Sequence, residues 1–160
     1  LGLDISKWAV LSAAKQDKRP TWVVGSNANL PVLPGTLDRV LCLFGFPVHA
    51  EFARVLRSGG RLVQVDAGPG HLRELREIIY PSLKPERPAE MPTPTGFSRL
   101  PTETLRFSID LTSAAQIADL LAMTPHLHRA KAEGRAAAAA LTALSLSVEV
   151  RLTCFERGLR

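Results

Sequence analysis

The chain has 160 residues, of which 46% are hydrophobic and 22% charged. That is ordinary for one globular domain with a sizeable core, and it argues against disorder, collagen and coiled coil. No apolar run reaches the roughly 18 residues that a membrane span needs, and no N-terminal signal pattern is present. The net charge of +5 suits an anionic partner such as RNA, as it suits many unrelated domains. The chain opens Leu1-Gly2-Leu3-Asp4, without Met and already inside an apolar run, so it reads as cut from something longer. Cys42 and Cys154 lie far apart, each in an apolar stretch. A disulfide framework or zinc site needs more thiols at closer spacing, so both are expected as buried, inert thiols in a reducing cytoplasm.

In chain order, Leu1 to Asp4 reads as the end of a buried strand. Ser6 to Lys15 has helical periodicity with Ser6 as N-cap. Thr21 to Gly25 is a short β-branched strand, followed by a turn-rich loop from Ser26 to Leu37. Arg39 to Phe44 is apolar throughout, as strands buried on both faces tend to be. His49 to Leu56 reads as a helix stopped by Ser58-Gly59-Gly60, and Arg61 to Val65 as a strand. Gly68-Pro69-Gly70 turns into a helix from His71 to Tyr80. Residues 81–101 hold Pro81, Pro85, Pro88, Pro92, Pro94 and Pro101, an irregular excursion or a lid. The remainder reads strand (Glu103 to Leu111), helix (Ser113 to Leu121), a break at Thr124-Pro125, a helix through Ala136 to Ala140, and an alternating strand from Leu146 to Phe155. The order predicts a mostly parallel α/β sheet with right-handed crossovers, in which ligands collect at the carboxyl ends of strands.

Several polar residues fall at such ends. Asp4 can accept hydrogen bonds from ribose hydroxyls, or cap the helix that follows. Ser26 and Asn27 can read an adenine edge, or serve a turn. Phe44, Gly45, Phe46 and Pro47 can frame a flat substrate, or be core and turn. His71 follows two glycines where an anion could be received, or is a surface histidine. His126 and His128, with Arg129 and Lys131, lack a third metal ligand in sequence, which leaves a basic RNA-facing edge or a solvated helix start. No metal site is expected in the chain.

Gly2-Leu3-Asp4-Ile5-Ser6-Lys7 resembles the second-strand motif of class I S-adenosylmethionine-dependent methyltransferases. Ser26-Asn27-Ala28-Asn29-Leu30-Pro31 resembles their adenine loop, and Glu51 to Gly60 the helix and turn before their fifth strand. Gly68-Pro69-Gly70-His71-Leu72 and Leu120-Leu121-Ala122-Met123-Thr124-Pro125 are more specific. Together, over nearly the whole chain and in the same order, these resemble the RlmA-type 23S ribosomal RNA (guanine-N1)-methyltransferases.

The resemblance implies a Rossmann-like α/β fold with an antiparallel last strand, lacking its first βα unit, so that 1–160 is a partial methyltransferase domain. It implies S-adenosylmethionine as cofactor, with Asp4 on the ribose, Ser26 and Asn27 on the adenine, and Phe44, Gly45 and His71 also against the cofactor. Phe46, Pro47 and Arg129 would contact the target base and its RNA, and other basic residues such as Arg99, Arg106 and Lys131 its phosphates. Asp66 and His71 are candidates, on position alone, for the base that removes the guanine N1 proton. The family's glycine-rich motif ahead of Gly2-Leu3-Asp4 and its four-cysteine zinc module are missing, so zinc is expected only in such an upstream module. Strands ending at Asp4 and Phe44 would then lack a neighbour, and such edges invite pairing with another chain, a homodimer included. The implied partner is ribosomal RNA, the implied location cytoplasmic, with no membrane. The alternatives are a small-molecule methyltransferase of the same fold, or a non-catalytic fragment that needs a further segment.

Overall fold

A computed structural model describes residues 1–83, 92–124 and 129–158. The elements run β1 (Gly2–Asp4), α1 (Lys7–Gln16), β2 (Trp22–Val24), β3 (Leu37–Leu43), α2 (His49–Val55), β4 (Leu56–Ala67), α3 (Arg73–Ile79), β5 (Phe97–Arg99), β6 (Glu103–Leu111), α4 (Ala114–Met123), α5 (Ala132–Ala139) and β7 (Leu144–Arg157). The chain divides into two compact units, with β4 and β7 contributing residues to both.

The first unit comprises residues 1–64, 92–101 and 153–160. β1 and β2 pair in parallel, with Leu3 opposite Val23, and form a two-stranded sheet of their own. α1 connects them. Ser6 caps it as expected, its Oγ accepting from the Ala9 N–H at 3.3 Å. Gly2 is required where it stands, because a Cβ there would collide with the Trp22 ring. The other strands of this unit lie in the order β3-β4-β7-β5. Their core is Cys42, Phe52, Leu56, Leu62, Phe97 and Phe155.

Four expectations fail in this unit. β3 reads as buried on both faces, yet Leu41 and Leu43, two residues apart on one face, are 65% and 61% exposed, while Cys42 on the other face is buried. Ser58-Gly59-Gly60 does not stop α2 from outside. The helix ends at Val55, and those residues lie within β4, where Gly59 takes φ +72° without the penalty a Cβ would bring. The proline-rich stretch also contains a strand: β5 pairs antiparallel with β7, Phe97 opposite Arg157. Cys154 is half-buried, whereas Cys42 is buried as expected.

The second unit comprises residues 65–91 and 102–152. β6 and β7 form a long antiparallel ladder from Glu103 opposite Leu152 to Leu111 opposite Leu144. α3, α4 and α5 contribute Leu75, Ile79, Ile117, Leu121 and Ala138 to one core with Leu146 of β7. Ser113 caps α4, its Oγ accepting from Gln116 N–H, while the Gln116 side chain accepts from Thr112 N–H at 2.8 Å. α5 approaches α3 at Gly134, where a Cβ would strike the Ile79 carbonyl. α3 starts at Arg73, later than expected, because Leu72 at φ +50° interrupts the helix. His126 and His128 lie outside the described residues.

Candidate active site

A cavity of about 700 Å³ opens in the first unit, within the roughly 300–1,000 Å³ typical of small-molecule pockets. Asp4 lines it from the end of β1, Ser26 and Asn27 from just beyond β2, and Gly45 and Phe46 from just beyond β3. Leu3, Leu41 and Leu43 supply apolar wall. Phe44 and Pro47 flank Gly45 and Phe46 in the chain but are not part of that lining.

Asp4 Oδ1 accepts from the Ser6 N–H at 2.7 Å, and Oδ2 has no partner among the described residues. Ser6, not Asp4, caps α1, so the carboxylate keeps an acceptor for a ligand. Ser26 and Asn27 carry turn chemistry as well as facing the cavity. Ser26 Oγ accepts from the Ala28 N–H, and Asn29 N–H donates to the Ser26 carbonyl. Asn27 Nδ2 donates to the Phe46 carbonyl at 3.1 Å, which ties the two loops together. A Cβ on Gly45 would meet Asn27 Nδ2 at an ordinary 3.6 Å but Cys42 Sγ at a tight 3.3 Å. Phe44 has φ +52°, a left-handed conformation that non-glycine residues adopt rarely, and its ring is 59% exposed. Phe46 is 90% exposed. The exposed Phe46 ring at the rim of this largely apolar cavity can stack on a planar ligand.

Asp66, His71 and Arg129 belong to the second unit. Arg129 is exposed and Asp66 half-buried. His71 lies in the turn before α3, its N–H donating to the Gly68 carbonyl at 3.1 Å. Burial lowers the His71 pKa and favours the neutral ring, with a hydrogen bond to the Glu149 backbone opposing. Glu149 is a residue that sequence reasoning missed. Its side chain occupies the space over Gly68 and Gly70, where a Cβ on either glycine would stand 2.6 or 2.5 Å from it. Gly70 N–H donates to Glu149 Oε2 at 3.2 Å, and Arg106 lies 3.3 Å from the same oxygen. Arg106 chiefly holds the Glu149 carboxyl below its ordinary pKa. The glycine turn thus receives a carboxylate of the chain itself, through the Gly70 N–H.

Three more residues escaped sequence reasoning. His49 Nε2 lies 3.2 Å from the buried Gln64 Oε1, edge-on to Phe52, Phe97 and Phe155. Glu51 and Arg54 of α2 bond to the loop after β2. Among the described residues no set of three or more His, Cys, Asp or Glu is placed to hold a metal ion, and no helix is long and apolar enough to cross a membrane.

No protein-family profile matches the chain. Over 79 residues it is 37% identical to a Bacillus subtilis (strain 168) protein named "Putative 23S rRNA (guanine-N(1)-)-methyltransferase YxjB". The match covers 49% of this chain, which spans 28% of the relative's length. Among solved structures, the YcgJ protein of Bacillus subtilis superposes with a TM-score of 0.53 at 17% identity, covering 99% of this chain and 82% of that one. A SAM-dependent methyltransferase from Methanosarcina mazei gives 0.53 at 14% identity, with 99% and 82% covered. A methyltransferase-like protein from Bacillus halodurans, described as putative, gives 0.50 at 14% identity, with 98% and 82% covered. The chain thus shares the Rossmann-like α/β fold of these solved structures, with a mixed sheet.

Proposed function

We propose that the chain is part of an S-adenosylmethionine-dependent methyltransferase that acts on N1 of a guanine in 23S ribosomal RNA. The carrying observation is the cavity that gathers Asp4, Ser26 and Asn27 at the ends of adjacent parallel strands. The partial identity to YxjB supports the RNA target. The donor set fits the cofactor. Asp4 Oδ2 is an acceptor for a ribose hydroxyl, Ser26 and Asn27 offer polar groups to an adenine edge, and Leu3 and Leu41 offer apolar surface to its faces.

The bound cofactor would supply a methyl group already activated on a sulfonium, so the chain's task is alignment of acceptor and donor. Phe44 and Gly45 are assigned to the cofactor side, and Phe46, Pro47 and Arg129 to the target base and its phosphates. Guanine N1 lies on the Watson–Crick edge, so the base must be unpaired or turned out of its helix, and exposed aromatic rings suit such a base. The N1 proton must be removed, and Asp66 and His71 are the candidates. His71 is favoured as a neutral ring by burial, which is the form that accepts a proton. A ribosomal RNA substrate places the protein in the cytoplasm.

The test is methyl transfer from labelled S-adenosylmethionine to ribosomal RNA prepared from a strain without the modification, read by nucleoside mass spectrometry. Appearance of N1-methylguanosine, lost in an Asp4→Ala variant, is the expected result. Transfer to a small acceptor but not to RNA would replace this reading with the small-molecule one. No binding of S-adenosylhomocysteine by calorimetry would reduce the chain to a fragment that needs a further segment.

A further inference from the structure

The loop from Gly25 to Thr36 carries Ser26 and Asn27 but has almost no ladder of its own, only the Ser26–Asn29 bridge. Its backbone groups must find partners elsewhere. Three of them find one turn of α2. Glu51 Oε1 accepts from the Leu30 N–H at 2.7 Å. Arg54 donates through Nη2 to the Leu30 carbonyl at 2.9 Å and through Nη1 to the Val32 carbonyl at 2.8 Å. The two side chains also bond each other, Arg54 Nε to Glu51 Oε2 at 2.9 Å and Nη2 to Oε1 at 2.6 Å. A fourth bond runs from the Gly35 N–H to the Arg54 carbonyl at 2.8 Å.

An exposed ion pair at this helical spacing contributes little by itself. This one differs in its shielding. Its side chains are 32% and 14% exposed, against 58% and 51% for the Arg73–Glu77 pair on α3. It also differs in direction, since carboxylate and guanidinium each meet a loop group of the opposite hydrogen-bonding sense. The planar guanidinium reaches two carbonyls and a carboxylate at once, which an ammonium cannot do in one geometry. Leu30 and Val32 are themselves cavity wall, on the same loop as Ser26 and Asn27. The loop is also anchored by the Asn27 bond to the Phe46 carbonyl, by the bond from the Gly25 N–H to the Asp4 carbonyl, and by Leu30 packing on the core.

We propose that Glu51 and Arg54 are positioning residues: together they clamp the Leu30–Val32 backbone and so fix the wall that presents Ser26 and Asn27 to an adenine-bearing ligand. The ligand half of this statement rests on the function proposed above, and the clamp itself does not.

The experiment compares the parent chain with R54K, R54M, E51Q and the charge-swapped double variant E51R/R54E. Two readouts are taken, amide hydrogen exchange across residues 26–32 and S-adenosylhomocysteine affinity by calorimetry. R54M is expected to speed exchange at Leu30 and to weaken binding about tenfold, the loss of charged hydrogen bonds to a defined backbone. R54K should recover part of each, which also covers the case in which R54M folds poorly. The swapped pair restores the attraction between the two side chains, but it sets a guanidinium against the Leu30 N–H and a carboxylate against two carbonyls. It should therefore remain as defective as R54M. Recovery of parental exchange in E51R/R54E, or unchanged exchange in both R54M and R54K, would overturn the clamp. A parent chain that binds no S-adenosylhomocysteine would sink the cofactor reading, while the exchange data still decide the clamp.

Discussion

Both units close an apolar core, but they differ in how much large apolar surface they leave exposed. In the second unit, Leu75, Ile79, Ile117 and Leu146 are all within 1% of full burial, and Leu105, Phe107 and Met123 are the large apolar side chains left exposed among its described residues. In the first unit, Leu1, Ile5, Trp8, Leu41, Leu43, Phe44 and Phe46 are all exposed. Several of these surround or line the cavity that Asp4, Ser26 and Asn27 share. The difference teaches that apolar content does two jobs here. In the second unit it closes a core, and in the first it both closes a core around Phe52 and Leu62 and forms walls and edges whose partner is not a neighbouring element of the described chain.

The largest expected effect follows from that contrast. Ile117→Ala should lower stability by about 2–5 kcal/mol, because it leaves a hole in a sealed core. Leu41→Ala should change it by less than about 0.5 kcal/mol, because that side chain already meets water. Thermal or urea unfolding measures both, and similar losses at the two sites would erase the distinction between the units. Next in size is Gly134→Val, which forces α5 away from the Ile79 carbonyl and should lower stability by about 1–3 kcal/mol. A variant as stable as the parent would mean that the helix shifts freely.

Asp4→Asn sharpens the comparison from the open side. The amide oxygen can still accept from the Ser6 N–H, so stability should hold within about 0.5 kcal/mol. Affinity for S-adenosylhomocysteine should nevertheless fall about tenfold or more with the charge removed. Equal losses of affinity and stability would make Asp4 a local turn residue.

The smallest effects are those of pH. The Arg54 guanidinium, with the Leu30 N–H adding to it, lowers the Glu51 carboxyl from 4.5 to about 2. A lowered carboxylate pKa adds stability that is fully present above 4.5 and fades as pH falls toward 2. The stability gap between parent and E51Q should therefore narrow over that window. His71 behaves differently. Burial lowers its pKa below 6.5, so the folded chain resists protonation and loses stability as pH falls below 6.5. An H71N variant should lack that part of the acid sensitivity, and parallel unfolding curves for parent and H71N from pH 7 to 5 would refute it.

Local chemistry was legible in the sequence wherever a residue acts on its near neighbours. Ser6 and Ser113 read as helix starts and cap the helices. Asp4, Ser26 and Asn27 read as strand-end polar groups, and they share a cavity because parallel pairing brings those ends together. What escaped reading depends on distant partners. β5 is three residues of a proline-rich stretch that become a strand only against β7. Glu149 alternates along β7 as a solvent-facing residue would, yet it fills the Gly68–Gly70 turn far away in sequence. Glu51 and Arg54 look like an ordinary surface pair on a helix, and their use became visible only when the loop backbone lay against them.

β7 carries a consequence for how the polypeptide is made. It follows β4, β5 and β6 in the chain, and all three pair with it. During vectorial synthesis those three strands emerge with a bonding edge unfilled until residues 144–157 have left the ribosome. Until β7 is made, the open edges of β4, β5 and β6 are available for pairing with other chains, so β7 is the segment whose arrival closes this sheet.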